Sequence, residues 1–116
     1  MVAEEAPERG DLVWLQFTPH AGREQAGRRP ALVLSPRAYN RASGLMVACP
    51  VTSRVKGYPF EVPLPEGLPI SGVVLADHLK SLDWRTRRAE RVAQVPAALL
   101  DEVQARLAPL LGFAWS

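Results

Sequence analysis

Eleven prolines and eight glycines punctuate these 116 residues, and this punctuation limits the fold more than any other feature. A proline removes a backbone donor and cannot sit in a central ladder or a helix interior without cost. Most apolar segments between the breaks are long enough only for strands. The exception follows Pro96: Leu99, Leu100, Val103, Leu107 and Leu110 recur at helical spacing, with Asp101, Glu102 and Arg106 outside the stripe. Pro109 is expected to kink or end this helix and Gly112 to cap it.

Upstream, the pattern is that of short strands. Asp11 to Phe17 alternates, with Val13, Leu15 and Phe17 on one face and Trp14 and Gln16 on the other. Trp14 reads as a wall residue of the sheet. Ala31 to Leu34 is a second strand, entered through Pro30. Pro36 to Ser43 suits a short helix with Ser35 as N-cap, Pro36 in first position and Gly44 ending it. Leu45 to Val51 is nearly all apolar and reads as a central strand. Phe60–Leu64, Gly72–Ala76, Leu79–Trp84 and Ala89–Val95 complete the set, with Arg85–Arg88 as a basic turn. Short strands plus one terminal helix predict a mainly β fold, a small bent barrel on which the helix must pack. Residues 1–9 are expected to be a frayed lead-in and 113–116 a tail, the whole forming a single domain over 1–116.

Composition narrows the function. The lone cysteine, Cys49, rules out an internal disulfide and a cysteine-cluster zinc site. Its apolar neighbours predict a buried, inert thiol. His20 and His78 are far apart and lack a metal-binding pattern around them, so neither a metal nor another cofactor is expected. His78, after Asp77, reads as a structural histidine or one at the edge of a site. No apolar run is long enough to span a bilayer, and the acidic N-terminus lacks a secretory pattern, so a cytoplasmic protein is expected. The net charge of +2 and pI of about 9.1 permit a polyanionic partner but do not demand one.

The remaining chemistry is basic and hydroxyl-bearing. Arg28 and Arg29 precede the second strand; Thr52, Ser53, Arg54 and Lys56 follow the third. If those strands pair antiparallel, Arg29 and Thr52 share one rim. Glu24 and Gln25 lie in the long loop Thr18–Arg29, of a length that is usually functional or mobile. Arginine holds phosphate oxygens through parallel hydrogen bonds. Tyr58 and Phe60 offer stacking faces for unpaired bases.

The segments RGDLVWLQF, EQAGRRPALVLSPRAYN, CPVTSRVKGYPFEV and GVVLADHLKSLDWRTR, in this order, closely resemble the MazF/PemK family of toxin endoribonucleases over most of Gly10–Gly112. The resemblance implies an SH3-like barrel of the CcdB/PemK type and a homodimer. It also implies metal-independent cleavage of single-stranded RNA at an ACA-containing site, leaving 2′,3′-cyclic phosphate and 5′-hydroxyl ends and inhibiting translation. It assigns catalysis to Arg29 and Thr52, and matches Glu24 and Lys56 to positions linked to the site or to RNA binding, with Gln25 and Ser53 beside them. Read from the residues themselves, Glu24 is the candidate general base, and Arg28, Arg54 and Tyr58 join the RNA-binding candidates. The implied partner is a MazE-like antitoxin whose acidic tail occupies the RNA groove.

An arginine with a pKa above about 12 suits charge stabilisation better than proton transfer at neutral pH. Two other readings differ in class. The related CcdB toxins poison DNA gyrase through C-terminal residues that include a tryptophan, and Trp115 is a loose counterpart. A non-catalytic SH3-like binding module would leave Arg29 and Thr52 without a shared purpose.

Overall fold

A computed structural model describes residues 5–16 and 27–113. The elements run β1 (Asp11–Gln16), β2 (Arg28–Val33), α1 (Arg37–Ser43), β3 (Leu45–Thr52), β4 (Glu61–Pro63), β5 (Val73–Leu75), a 3₁₀ turn (Ala76–His78), β6 (Lys80–Asp83), β7 (Glu90–Gln94) and α2 (Ala97–Leu110). The strands form an antiparallel sheet in the order β4-β5-β3-β2-β1-β7. β6 also pairs with β3, so one edge of β3 carries β6 along Leu45–Ala48 and β5 along Val51–Thr52. The fold is the expected mainly β one with a terminal helix, but the strands do not close into a ring.

Both faces of the sheet are covered. One cluster joins Leu12, Leu32, Cys49, Val51 and Val74 to Leu99, Val103 and Leu107 of α2. Burying each of these helix side chains contributes about 1.5–3 kcal/mol at most. The other cluster joins Val13, Leu15, Ala31, Val33, Met46, Ala48, Leu82 and Trp84. Alternation along β1 explains the division: Val13 and Leu15 go to one face, Leu12 and Trp14 to the other.

Several local expectations are corrected. Residues 5–9 are not frayed: Ala6 is 2% exposed, and the Glu8 carboxylate accepts from the Arg37 amide at 2.9 Å and the Arg9 amide at 2.8 Å. These two amides hold the Glu8 carboxyl below its usual pKa. Glu8 therefore caps α1 from outside, since the N-cap itself is Pro36, which has no side-chain donor or acceptor. Ser35 does not cap the helix; its hydroxyl donates to Asn40 Oδ1 at 2.6 Å and accepts from the Val47 amide at 2.8 Å, tying α1 to β3. Leu110 continues the α2 stripe but is 47% exposed, because the last turn lies past the buried cluster. That turn ends as expected: Gly112 has φ +86°, and the Phe113 amide reaches back to the Ala108 carbonyl at 2.8 Å. No helix among the described residues is long and apolar enough to cross a membrane.

Candidate active site

Strand β2 begins at Arg28, three residues earlier than its apolar run begins. Arg28 and Arg29 are therefore strand residues rather than loop residues, paired with Gln16 and Leu15 of β1. On its other side β2 pairs with β3 only from Ala31↔Pro50 onward. Pro30 and Pro50 lack an N–H to donate, and the ladder ends beside them. The two strands part there. Continuing the register by two residues sets Arg29 opposite Thr52, and both line a cleft of about 390 Å³ with Trp14, Ser53 and Ile70.

The two arginines differ in what holds them. The Arg28 guanidinium donates to the carbonyls of Trp14 (3.2 Å) and Arg88 (3.0 Å) and pairs with Glu90 at 3.2 Å. Its charge is largely committed to fastening β2 to β1 and β7, although it also lines the cleft. Among the described residues, Arg29 has no side-chain hydrogen bond or ion pair, and it is exposed. Its charge is available to an anion.

Thr52 is the last residue of β3 and pairs with Val73 of β5. Its Oγ1 accepts from the Arg54 amide at 3.1 Å, which leaves the hydroxyl proton to be donated outward. Gly72 fixes this position. With φ +127°, a Cβ on Gly72 would lie 2.2 Å from the Thr52 carbonyl oxygen and 2.9 Å from its carbon. Only glycine lets the two backbones approach this closely.

The loop after β3 carries Ser53, Arg54, Lys56 and Tyr58, all exposed. Its shape is set from within by Glu61, which is 8% exposed. The Glu61 carboxylate accepts from the Gly57 amide at 2.8 Å and from the Lys56 amide at 3.1 Å. A buried carboxylate is costly unless satisfied in this way. The Lys56 ammonium stands 5.9 Å from the centre of the Tyr58 ring. Trp14 packs against the α2-side core, as a wall residue should, and also lines the cleft.

Glu24 and Gln25 lie outside the described residues, as do His20 and Trp115. Arg29, Thr52, Ser53 and Arg28 meet in one cleft, whereas Arg54, Lys56 and Tyr58 line a neighbouring one that also includes Thr52. Sequence reasoning overlooked Gly72 and Glu61. A signal was present only for Gly72, since a glycine heading the apolar run Val73-Val74-Leu75 marks a close backbone approach; Glu61, between Phe60 and Val62, falls on the face that alternation assigns to solvent, so its burial had no signal in the pattern. Among the described residues, no three His, Cys, Asp or Glu side chains converge as a metal site would require.

Comparison with known proteins agrees over nearly the whole chain. Residues 8–111 match the family described as PemK-like, MazF-like toxin of type II toxin–antitoxin systems. The endoribonuclease toxin MazF of Escherichia coli K12 is 46% identical over 112 residues, covering 97% of this chain and all of that protein. The endoribonuclease PemK of Escherichia coli is 38% identical over 110 residues, covering 90% of this chain and 81% of that protein. Among solved structures, a MazE–MazF crystal structure from Deinococcus radiodurans superposes with a TM-score of 0.86 at 60% identity, covering 96% of this chain and all of the matched one. A MazF crystal structure from the same organism gives 0.85 at 67% identity, covering 94% and 99%.

Proposed function

The chain belongs to the PemK-like, MazF-like toxin family, and from that membership and its site we infer that it is the endoribonuclease toxin of a toxin–antitoxin pair. The carrying observation is the placement of Arg29, uncommitted among the described residues, opposite Thr52 where β2 and β3 part.

The substrate is single-stranded RNA, which supplies its own nucleophile. The 2′-hydroxyl attacks the adjacent phosphorus, the O2′–P bond forms, and the P–O5′ bond breaks. The 2′ proton passes to a base, for which Glu24 is the candidate, and O5′ takes a proton from solvent water as it leaves. The products are a 2′,3′-cyclic phosphate and a 5′-hydroxyl. Arg29 neutralises charge growing on the non-bridging oxygens, and the Thr52 hydroxyl donates to one of them. Ser53, Arg54 and Lys56 bind flanking phosphates, while Tyr58 stacks on a base. Gln25, which precedes β2 in the sequence, is a further RNA-binding candidate. Arg28 acts chiefly by holding the strand that presents Arg29. Cutting mRNA at ACA-containing sites would stop translation.

The working unit is a homodimer, in which two shallow basic surfaces join into a groove long enough for several nucleotides. An acidic segment of a MazE-like antitoxin competes for that groove. Support for this partner comes from the MazE–MazF complexes that the chain resembles.

The test is to incubate the purified protein with a long RNA and to map the ends of every fragment. Cleavage is expected to persist in EDTA, to leave cyclic phosphate ends, and to stop when the nucleotide before the scissile bond lacks its 2′-hydroxyl. Scission of the deoxy-substituted strand would overturn internal attack. Full activity from a monomer in light scattering would remove the dimer.

A further inference from the structure

The basic turn between β6 and β7, Arg85–Arg88, has no part in the chemistry described so far. We propose that Arg88 binds a phosphate of the RNA strand on the side of the cut away from Arg54 and Lys56, so that the substrate is gripped on both sides of the scissile phosphate. The inference rests on the ribonuclease reading above and adds a contact to the path of the strand.

The sheet order places this turn. Arg54 and Lys56 follow β3, Arg29 lies on β2, and the turn adjoins β1 and β7, in the spatial order β3-β2-β1-β7. Arg28 pairs with Gln16, and the Gln16 amide donates to the Arg87 carbonyl at 2.9 Å. The turn is therefore two strand spacings, about 10 Å, from the arginines of β2. The Arg28 guanidinium, which lines the cleft of Arg29, also reaches the Arg88 carbonyl at 3.0 Å.

Two pairs of adjacent arginines are thus arranged alike. Arg28 is committed to Glu90 and two carbonyls, and Arg29 beside it is uncommitted among the described residues. In the turn, Arg87 donates to the Gln16 carbonyl at 2.9 Å, and the Arg85 guanidinium stands 4.6 Å from the centre of the Trp84 ring. Arg88 is exposed, and among the described residues its side chain has no hydrogen bond or ion pair. The carboxylates nearby have other partners: Asp83 Oδ1 accepts from the amides of Arg85 (3.1 Å) and Thr86 (2.9 Å), and Glu90 holds Arg28.

The backbone of Arg88 adds an independent argument. Its φ is +56°, and among the described residues it is the only non-glycine at positive φ. The Arg87 amide bonded to the Asp83 carbonyl at 3.1 Å, and the Ala89 amide bonded to the Trp84 carbonyl at 3.0 Å, hold it there. A hairpin position of this kind ordinarily takes glycine or asparagine. Glycine would serve the turn at least as well, so what arginine adds is its charge: a planar fork on a fixed mount, suited to phosphate oxygens.

The experiment uses the full-length protein and oligonucleotides with one cleavage site, in which single linkages on either side of the cut are replaced by uncharged methylphosphonates. In the parent, neutral linkages on both sides should raise KM. Arg88→Gly suits the backbone and removes the charge. It should keep a Tm at or above that of the parent while raising KM roughly two- to fivefold, the range of an exposed charge pair. The slope of log KM against log salt should fall by about 0.7, the share of one phosphate on a single strand. On one side of the cut, the Arg88→Gly protein should be indifferent to a neutral linkage that weakens the parent. Arg88→Lys should keep most of the parental salt slope. Parental KM and salt slope in the Arg88→Gly protein would overturn this contact and leave the ribonuclease intact, even if that protein bound an acidic peptide less well. So would a parent sensitive to neutral linkages on one side of the cut only, a result that needs no variant to fold. Failure of the parent to cut any RNA would overturn the proposed function itself.

Discussion

Arg29 faces Thr52 across the point where β2 and β3 stop pairing, one on each bank of the same cleft. Removing either donor should lower the cleavage rate by roughly two to three powers of ten, the cost of losing one preorganised transition-state contact. Binding of RNA should fall far less, because Arg54 and Lys56 remain. Arg29→Ala and Thr52→Ala should keep the parental circular dichroism spectrum. A folded variant that cuts at the parental rate would show that its residue takes no part in the chemistry.

Gly72→Ala should damage the site without replacing any residue expected to meet RNA. The new methyl would lie 2.2 Å from the Thr52 carbonyl oxygen, and alanine is strained at positive φ by about 1 kcal/mol or more. The expected outcome is a lowered Tm together with a fall in kcat exceeding any change in KM. Parental kcat and Tm would mean that the strand end shifts without cost.

Glu61→Gln should loosen the loop after β3, because a charged acceptor for two backbone amides becomes a neutral one. Hydrogen bonds to a charged group contribute about 1.5–3 kcal/mol, and part of that should appear as lost stability. Since Thr52 is held by β5 independently of the loop, KM for RNA should rise several-fold with kcat nearly unchanged. A fall in kcat at constant KM would place Glu61 in a different role.

Cys49 should be silent toward thiol reagents in the native protein. Burial, assisted by the negative charge of Asp77, pushes its pKa up from 9.0 to about 12, and the thiol lies against the Ala76 carbonyl at 3.6 Å. The unfolded chain ionises first, so this group favours folding fully below pH 9 and loses that contribution as pH rises from 9 towards 12. Cys49→Ser should not lower activity. Denaturant titrations at pH 8 and pH 10 should show a smaller stability at the higher pH, and the difference should shrink in the serine variant.

The strand pattern and terminal helix were legible because short apolar runs between prolines leave few alternatives. The meeting of Arg29 and Thr52 was legible as a consequence of antiparallel pairing. What escaped depended on tertiary partners. The early start of β2 comes from Leu15 and Gln16 pairing with residues that have no strand signal of their own. The docking of residues 5–9 depends on Glu8 reaching the α1 amide across 29 positions. The commitment of Arg28 depends on Glu90, 62 positions away. Periodicity within a window cannot report such distant contacts.

Strand β3 pairs with β2 on one side and with β5 and β6 on the other, and Thr52 is its final residue. Melting this strand would dismantle most of the sheet, so the rim cannot be switched off by local loosening at a tolerable cost. Silencing therefore has to come from occlusion: a molecule that shields the groove and then departs leaves behind a fully assembled catalyst, with no refolding delay before it acts.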